Sequence, residues 1–169
     1  MRTRRFISTT APDGSVHVHH DTPLEDSDTS RGVIALWGWD RLPSLPLSPE
    51  AVAAGLDRPT LFAPPGGANV AIAVFGPANE QRGTEGADLA HANVVSDPSD
   101  PLLHRTDTVD VIFVLDGEIT LEQPGQRDLA LERGDFVVLN GNMHRWTNHG
   151  ERRAVLGTVT TTVARQPDA

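Results

Sequence analysis

Glycine and proline punctuate this chain so densely that long helices have little room to form. There are 15 Gly and 13 Pro among 169 residues, and they fall between short apolar stretches. Inside a helix each Gly costs about 1 kcal/mol relative to Ala and each Pro about 3, whereas at a turn both are favoured. Short apolar runs bounded by turn residues read as strands. In order, these are Arg4–Thr9 and Ser15–His20 around the turn Pro12-Asp13-Gly14, Gly32–Gly38, Asn69–Phe75, Val111–Leu115, Glu118–Glu122, Leu129–Glu132, Phe136–Leu139, His144–Asn148 and Ala154–Ala164. In the last of these Val155, Val159 and Val163 share one parity, and Leu156, Thr158, Thr160 and Thr162 the other, which is the period of a strand.

One good helix is predicted. Ser48 can cap it, Pro49 suits its first position, Glu50 complements its first turn, Ala51–Ala54 continue it and Gly55 can end it. The polar stretch from Gly76 to Pro101 reads as a long loop, with a second short helix near Gly86–Ala92; loops of that length are lids or solvated inserts. About ten short strands with turns every ~8–12 residues predict an all-β sandwich or barrel. The length suits a single domain, 1–169, large enough for a core without disulfides.

Composition restricts the chemistry. All 14 basic residues are Arg; there is no Lys, no Cys and no Tyr. Schiff-base, thiol and tyrosyl nucleophiles are therefore excluded, as are thiolate zinc sites and iron–sulfur clusters. A net charge of −9 disfavours nucleic acid and anionic membranes as partners. The opening Met1-Arg2-Thr3-Arg4-Arg5 has no apolar run behind it and does not read as a signal peptide, and no stretch approaches the ~20 residues of a membrane span. A cytoplasmic protein is the expectation.

Two clusters carry chemistry. The first is Leu103-His104-Arg105-Thr106-Asp107-Thr108-Val109-Asp110, where His104 and Thr106 share a strand face and Asp110 opens the next strand; Arg105 has the opposite parity. The second is Gly141-Asn142-Met143-His144-Arg145-Trp146-Thr147-Asn148, where His144, Trp146 and Asn148 share a face. If His104, Asp110 and His144 converge, they form a two-His, one-carboxylate set with open coordination positions. The alternative is a metal-free pocket in which these groups hydrogen-bond a ligand or each other. His91, in the long insert, could serve as an acid or base if the insert folds over the site. Phe113, Trp37, Trp39 and Trp146 are aromatic candidates near the pocket. Thr158, Thr160 and Thr162 would present hydroxyls either to a cavity or to solvent. His17, His19 and His149 read as exposed.

These clusters resemble a known family. The spacing His104-x-Thr106-x3-Asp110-x6-Gly117 is similar to the first cupin motif, and Gly134-x5-Asn140-Gly141-x2-His144-x3-Asn148 to the second. The segment His-Arg-Thr-Asp-Thr-Val-Asp, with Ala35-Leu36-Trp37, Asp40-Arg41-Leu42-Pro43 and Pro64-Pro65-Gly66-Gly67 upstream, resembles a subgroup of small cupins found in bacteria and in fungal polyketide clusters. The resemblance implies a double-stranded β-helix, or jelly-roll-like barrel, with its motif core over 102–164 and extra N-terminal strands over 1–101. It implies His104, Asp110 and His144 as metal ligands, with Thr106 adjacent; His and Asp ligands suit a divalent cation (iron, zinc, manganese or nickel), and Thr106, Phe113, Trp146 and Asn148 are the expected pocket residues. It also implies a homodimer. Two positions depart from the family pattern: Thr106 stands where a second His is usual, and Asp110 where a Glu is usual.

The expected function is a metal-dependent small-molecule enzyme, of a lyase or isomerase kind, acting on a carbonyl- or carboxyl-bearing metabolite. The metal would act as a Lewis acid, and Asp110 or His91 would move a proton. An iron-dependent dioxygenase and a non-catalytic small-molecule-binding cupin are the alternatives.

Overall fold

The computed structural model describes residues 3–11, 13–24, 32–56, 62–77 and 94–166. Twelve strands and one helix follow in order among them: β1 (Thr3–Thr10), β2 (Val16–Leu24), β3 (Val33–Trp39), α1 (Pro49–Leu56), β4 (Ala68–Phe75), β5 (Val94–Asp97), β6 (Asp100–Thr106), β7 (Thr108–Asp116), β8 (Glu118–Glu122), β9 (Leu129–Glu132), β10 (Phe136–Asn140), β11 (Arg145–Thr147) and β12 (Ala154–Thr162). The anticipated strands are all present. The stretch expected as one long loop also contributes the β5–β6 hairpin. Its proposed helix near Gly86–Ala92 lies outside the described residues, as does His91. No described helix is long and apolar enough to cross a membrane.

The first large sheet has the order β10-β7-β12-β4-β3. The second is built from β11-β8-β9 and the β5-β6 hairpin. These two pieces are joined where His104 and His144 exchange backbone hydrogen bonds, N to O at 3.0 and 2.8 Å. From β7 onward the chain passes back and forth between the sheets: β7, β10 and β12 lie in the first, with β7 between β10 and β12, and β8, β9 and β11 in the second, with β8 between β9 and β11. That order is a jelly roll, or double-stranded β-helix. β4 is integral to it, so the barrel reaches back beyond the motif-bearing segment. The hairpin β1–β2 forms a sheet of its own, with the Arg5 guanidinium donating to the Leu36 carbonyl at 3.0 Å.

Strand parity decides what faces the interior. Along β7, Thr108, Asp110, Ile112 and Val114 are buried, while Phe113 and Leu115 are exposed. Phe113 instead packs beside Phe136 on the outer face, ring centroids 5.9 Å apart. The apolar core gathers Ala73, Ile112, Val114, Ile119, Leu121, Leu139, Ala154 and Leu156, with Trp146 packed against it. Full burial of such side chains contributes about 1.5–3 kcal/mol each for the larger ones.

The inner face of the first sheet changes polarity along the strands. Paired across it are Asp110, Thr160 and Asn69; one row on stand Ile112, Thr158 and Ala71; one further on, Val114, Leu156 and Ala73. The barrel is thus filled with hydrocarbon at one end and lined by polar groups at the other.

Two glycines of the sequence patterns have specific roles. Gly55 was expected to end α1, yet the helix continues to Leu56. A Cβ on Gly55 would lie 2.6 Å from the Trp37 ring, so the residue permits close packing of helix on strand. The Ser48 hydroxyl does cap the helix, accepting from the Ala51 N–H at 3.2 Å. Gly117 turns the chain from β7 to β8 with φ +75°, and its Cβ would stand 2.5 Å from the Arg153 carbonyl oxygen. Gly117→Ala combines a disfavoured backbone with a backbone clash. It should cost about 2 kcal/mol, read as a lower urea midpoint with an unchanged slope.

Candidate active site

A half-open cavity of about 150 Å³ extends from the polar row of the barrel into the apolar rows beside it. β6 supplies His104 and Thr106, β7 supplies Asp110, the turn before β11 supplies His144, and β12 supplies Thr158 and Thr160. Trp146, Ile112, Leu156, Ala71, Ala73 and Phe75 form much of the apolar wall. The structure places His104, Asp110, His144, Thr106 and Trp146 along one cavity.

The two imidazoles lie side by side, ring centroids 4.7 Å apart. Their spacing follows from the reciprocal backbone bonds between the same two residues. The Nδ1 of His104 is 2.8 Å from the Leu102 carbonyl, and that of His144 is 2.9 Å from the Asn142 carbonyl. A carbonyl oxygen only accepts, so Nδ1 carries the hydrogen in both rings. Nε2, with its lone pair, is the nitrogen each ring has left for a ligand. Metal-binding imidazoles are commonly oriented in this way.

Burial sets the charge states. His144 is 5% exposed. Desolvation lowers its pKa to about 4; the bond to the Asn142 carbonyl works against this and the neighbouring His104 adds to it. It is neutral at pH 7. Asp110 is 8% exposed and its Oδ1 has no hydrogen-bond partner among the described residues. Desolvation raises its pKa, opposed in part by the hydroxyls of Thr108 and Thr160, by His104 and by Thr106. Thr106 is 4% exposed and hydrogen-bonds to Thr108. It has been absorbed into the hydroxyl network beneath Asp110.

Among the described residues no three His, Asp or Glu side chains converge closely enough to share a metal ion. The expected three-ligand set is therefore present as two adjacent imidazoles sharing a cavity with a carboxylate, without a common focus. The two Nε2 atoms suit a divalent cation by chemistry and tautomer.

Two expected pocket residues stand elsewhere. Phe113 points out of the barrel because its parity is opposite to that of Asp110 and Ile112. Asn148 is only 1% exposed but lies beyond the cavity. Its amide nitrogen donates to the carbonyls of Phe75, Gly76 and Arg152 at 3.2, 2.9 and 2.8 Å, and its oxygen accepts from the Gly150 N–H at 2.8 Å. It pins the end of β4 to the turn before β12. Conversely, Thr158, Thr160 and Asn69 line the cavity. The signal for Asn69 was one polar residue opening an otherwise apolar strand.

Two arginines brace the strands and turns around the site. Arg145 on β11 donates to Asp100 at the start of β6, at 2.6 Å, and to Glu122 on β8. Arg165 donates to Asp107 at 2.5 Å and to the Gly141 carbonyl at 2.8 Å, joining the two turns that flank the histidines. Of the outlying histidines, His149 is 69% exposed, 4.0 Å from Glu122; His17 is exposed and bonded to Ser15.

No family model matches the chain. It is 43% identical over 49 residues to oryzines biosynthesis cluster protein J of Aspergillus oryzae, covering 29% of this chain and 27% of that protein. It is 45% identical over 47 residues to phomopsin biosynthesis cluster protein C' of Diaporthe leptostromiformis, covering 28% and 25%. The matched segment thus spans about a quarter of the length of these relatives. Similar solved structures include a cupin-like protein of Thermotoga maritima, at a TM-score of 0.37 and 16% identity over 56% of each chain. They also include a DMSP lyase of Ruegeria pomeroyi, at a TM-score of 0.40 and 12% identity over 59% of this chain and 41% of that one.

The burial of His144 and Asp110 acts in opposite directions on stability. The unfolded chain takes up the His144 proton first, so the folded state loses about 3 kcal/mol as pH falls from 6.5 to about 4. Asp110 binds its proton more tightly when folded, so it destabilises the fold as pH rises through the window above 3.8. In chelator-treated protein, Asp110→Asn should therefore raise Tm near neutral pH and steepen the loss on acidification, whereas His144→Gln should flatten that loss. Asn148→Ala should cost about 2 kcal/mol while leaving ligand affinity of the folded protein unchanged, measured by denaturant titration and calorimetry.

Proposed function

We propose that the cavity is the active site of a small-molecule enzyme of the lyase or isomerase kind, with a divalent metal held on Nε2 of His104 and His144. The observation that carries this reading is the pair of adjacent imidazoles, both fixed with Nε2 available, in one cavity with a buried carboxylate. The metal would supply Lewis-acid polarisation of a carbonyl oxygen.

The chain's own residues supply the rest. Asp110, with its proton affinity raised by burial, accepts a proton from substrate at Oδ1, which has no hydrogen-bond partner among the described residues, and returns it. Thr158 and Thr160 orient the substrate by hydrogen bonds, and Trp146 and Leu156 keep water from the apolar side. His91 is a second candidate for moving a proton. Decarboxylation or dehydration requires only such polarisation and proton movement. The biosynthesis-cluster relatives favour a substrate from secondary metabolism.

A second reading, a binding pocket without catalysis, is favoured by the lack of three converging ligands among the described residues. Metal content separates the two. Untagged protein purified with metal supplementation should carry close to one equivalent of a transition metal, lost in His104→Ala and in His144→Ala and retained in Asp110→Asn. Less than about a tenth of an equivalent in the wild type would remove the metal from the mechanism. Metal retained in both histidine variants would place it elsewhere. Metal lost from Asp110→Asn would make Asp110 a ligand.

A further inference from the structure

Three features of the cavity bear on what enters it. The first is its graded floor: the row Asp110–Thr160–Asn69 is polar, and the next rows pass through Ile112, Thr158 and Ala71 to Leu156 and Ala73. The second is charge. Among the described residues lining the cavity there is no Arg, and the chain has no Lys. The third is the acceptor at the polar end: Oδ1 of Asp110, buried and with no hydrogen-bond partner among the described residues.

A buried acceptor left unsatisfied is costly, and a ligand that donates to it recovers that cost. An anionic ligand would enter without a cationic side chain among the described lining, beside a carboxylate, in a protein of net charge −9. An ammonium would give up its hydration for one carboxylate and an apolar wall, a poor exchange. An uncharged donor meets neither penalty. Size narrows the class further, because a cavity of ~150 Å³ accommodates a molecule such as benzene.

We propose that the cavity takes an uncharged molecule of about the size of one six-membered ring, with a hydroxyl or amide N–H donating to Oδ1 of Asp110 and its apolar body lying over Ile112, Ala71 and Leu156. This rests on the second reading, a binding pocket without a metal, because a divalent cation on the two imidazoles would itself attract an anion. In that reading the ligand carries no ionised carboxyl group.

The test uses full-length, chelator-treated protein at neutral pH with four probes: phenol, toluene, benzoate and benzylamine. Affinities are measured by calorimetry, and the Trp146 wall provides a fluorescence readout. Phenol should bind about tenfold more tightly than toluene, the ratio that one net hydrogen bond supplies, and more tightly than either ion. In Asp110→Ala the advantage of phenol over toluene should vanish while toluene still binds, which also shows that the variant is folded. If that variant does not fold, the order of the four probes on the wild type decides alone. Benzoate or benzylamine binding as tightly as phenol, toluene matching phenol, or no probe binding at all would overturn the proposal. Metal content is read independently of these affinities, so the metal-enzyme reading and the ligand class can fail separately.

Discussion

The two reciprocal backbone hydrogen bonds between His104 and His144 hold the working end of this protein together. Apart from them, β6 belongs to a two-stranded hairpin and β11 to a separate three-stranded sheet. The bridge merges these into one layer opposite the larger sheet. It also sets two imidazoles side by side, because residues paired across antiparallel strands project from the same face. One structural link therefore closes the barrel wall and assembles the site. Arg145 and Arg165 reinforce it from outside. Both are partly exposed, so their ion pairs contribute little to stability; their effect is positional.

The polar end of the barrel works against folding and for chemistry. A carboxylate and an imidazole are buried where apolar side chains would be more stable. The hydrocarbon rows from Ile112 and Val114 to Leu156 offset that cost within the same strands. Such a division is expected of a functional site, where local preference gives way and the remaining core compensates.

Much of this was legible in the chain because strand parity is a local property. Alternation along β7 and β12 separates inward from outward side chains without any tertiary information, and residues of both motif clusters line one cavity. Errors arose where parity was overlooked or did not apply. Phe113 stands one residue from Ile112 and so faces outward. Asn148 shares the parity of His144 and Trp146, but β11 ends at Thr147; beyond a strand end the chain turns and alternation no longer carries direction. Thr158 and Thr160 had the right face, but whether that face met cavity or solvent depended on the sheet opposite.

What the sequence determined by itself was the class of structure and the available chemistry. Frequent Gly and Pro with period-two apolar runs led to a strand-built barrel, and the absence of Lys, Cys and Tyr left His, Asp, Glu, Arg, Ser, Thr and any cofactor or metal they can hold as the reactive groups. Tertiary structure alone decided how those groups are held. It placed His104 and His144 in register, drew β4 into the barrel, turned Thr106 toward Thr108 and left Oδ1 of Asp110 unpaired. The physical reason is range. Parity, turn preference and composition act over a few residues, whereas burial, pKa and hydrogen-bond partners depend on strands far apart in the chain, such as β4, β7 and β12, that become neighbours only when the barrel closes.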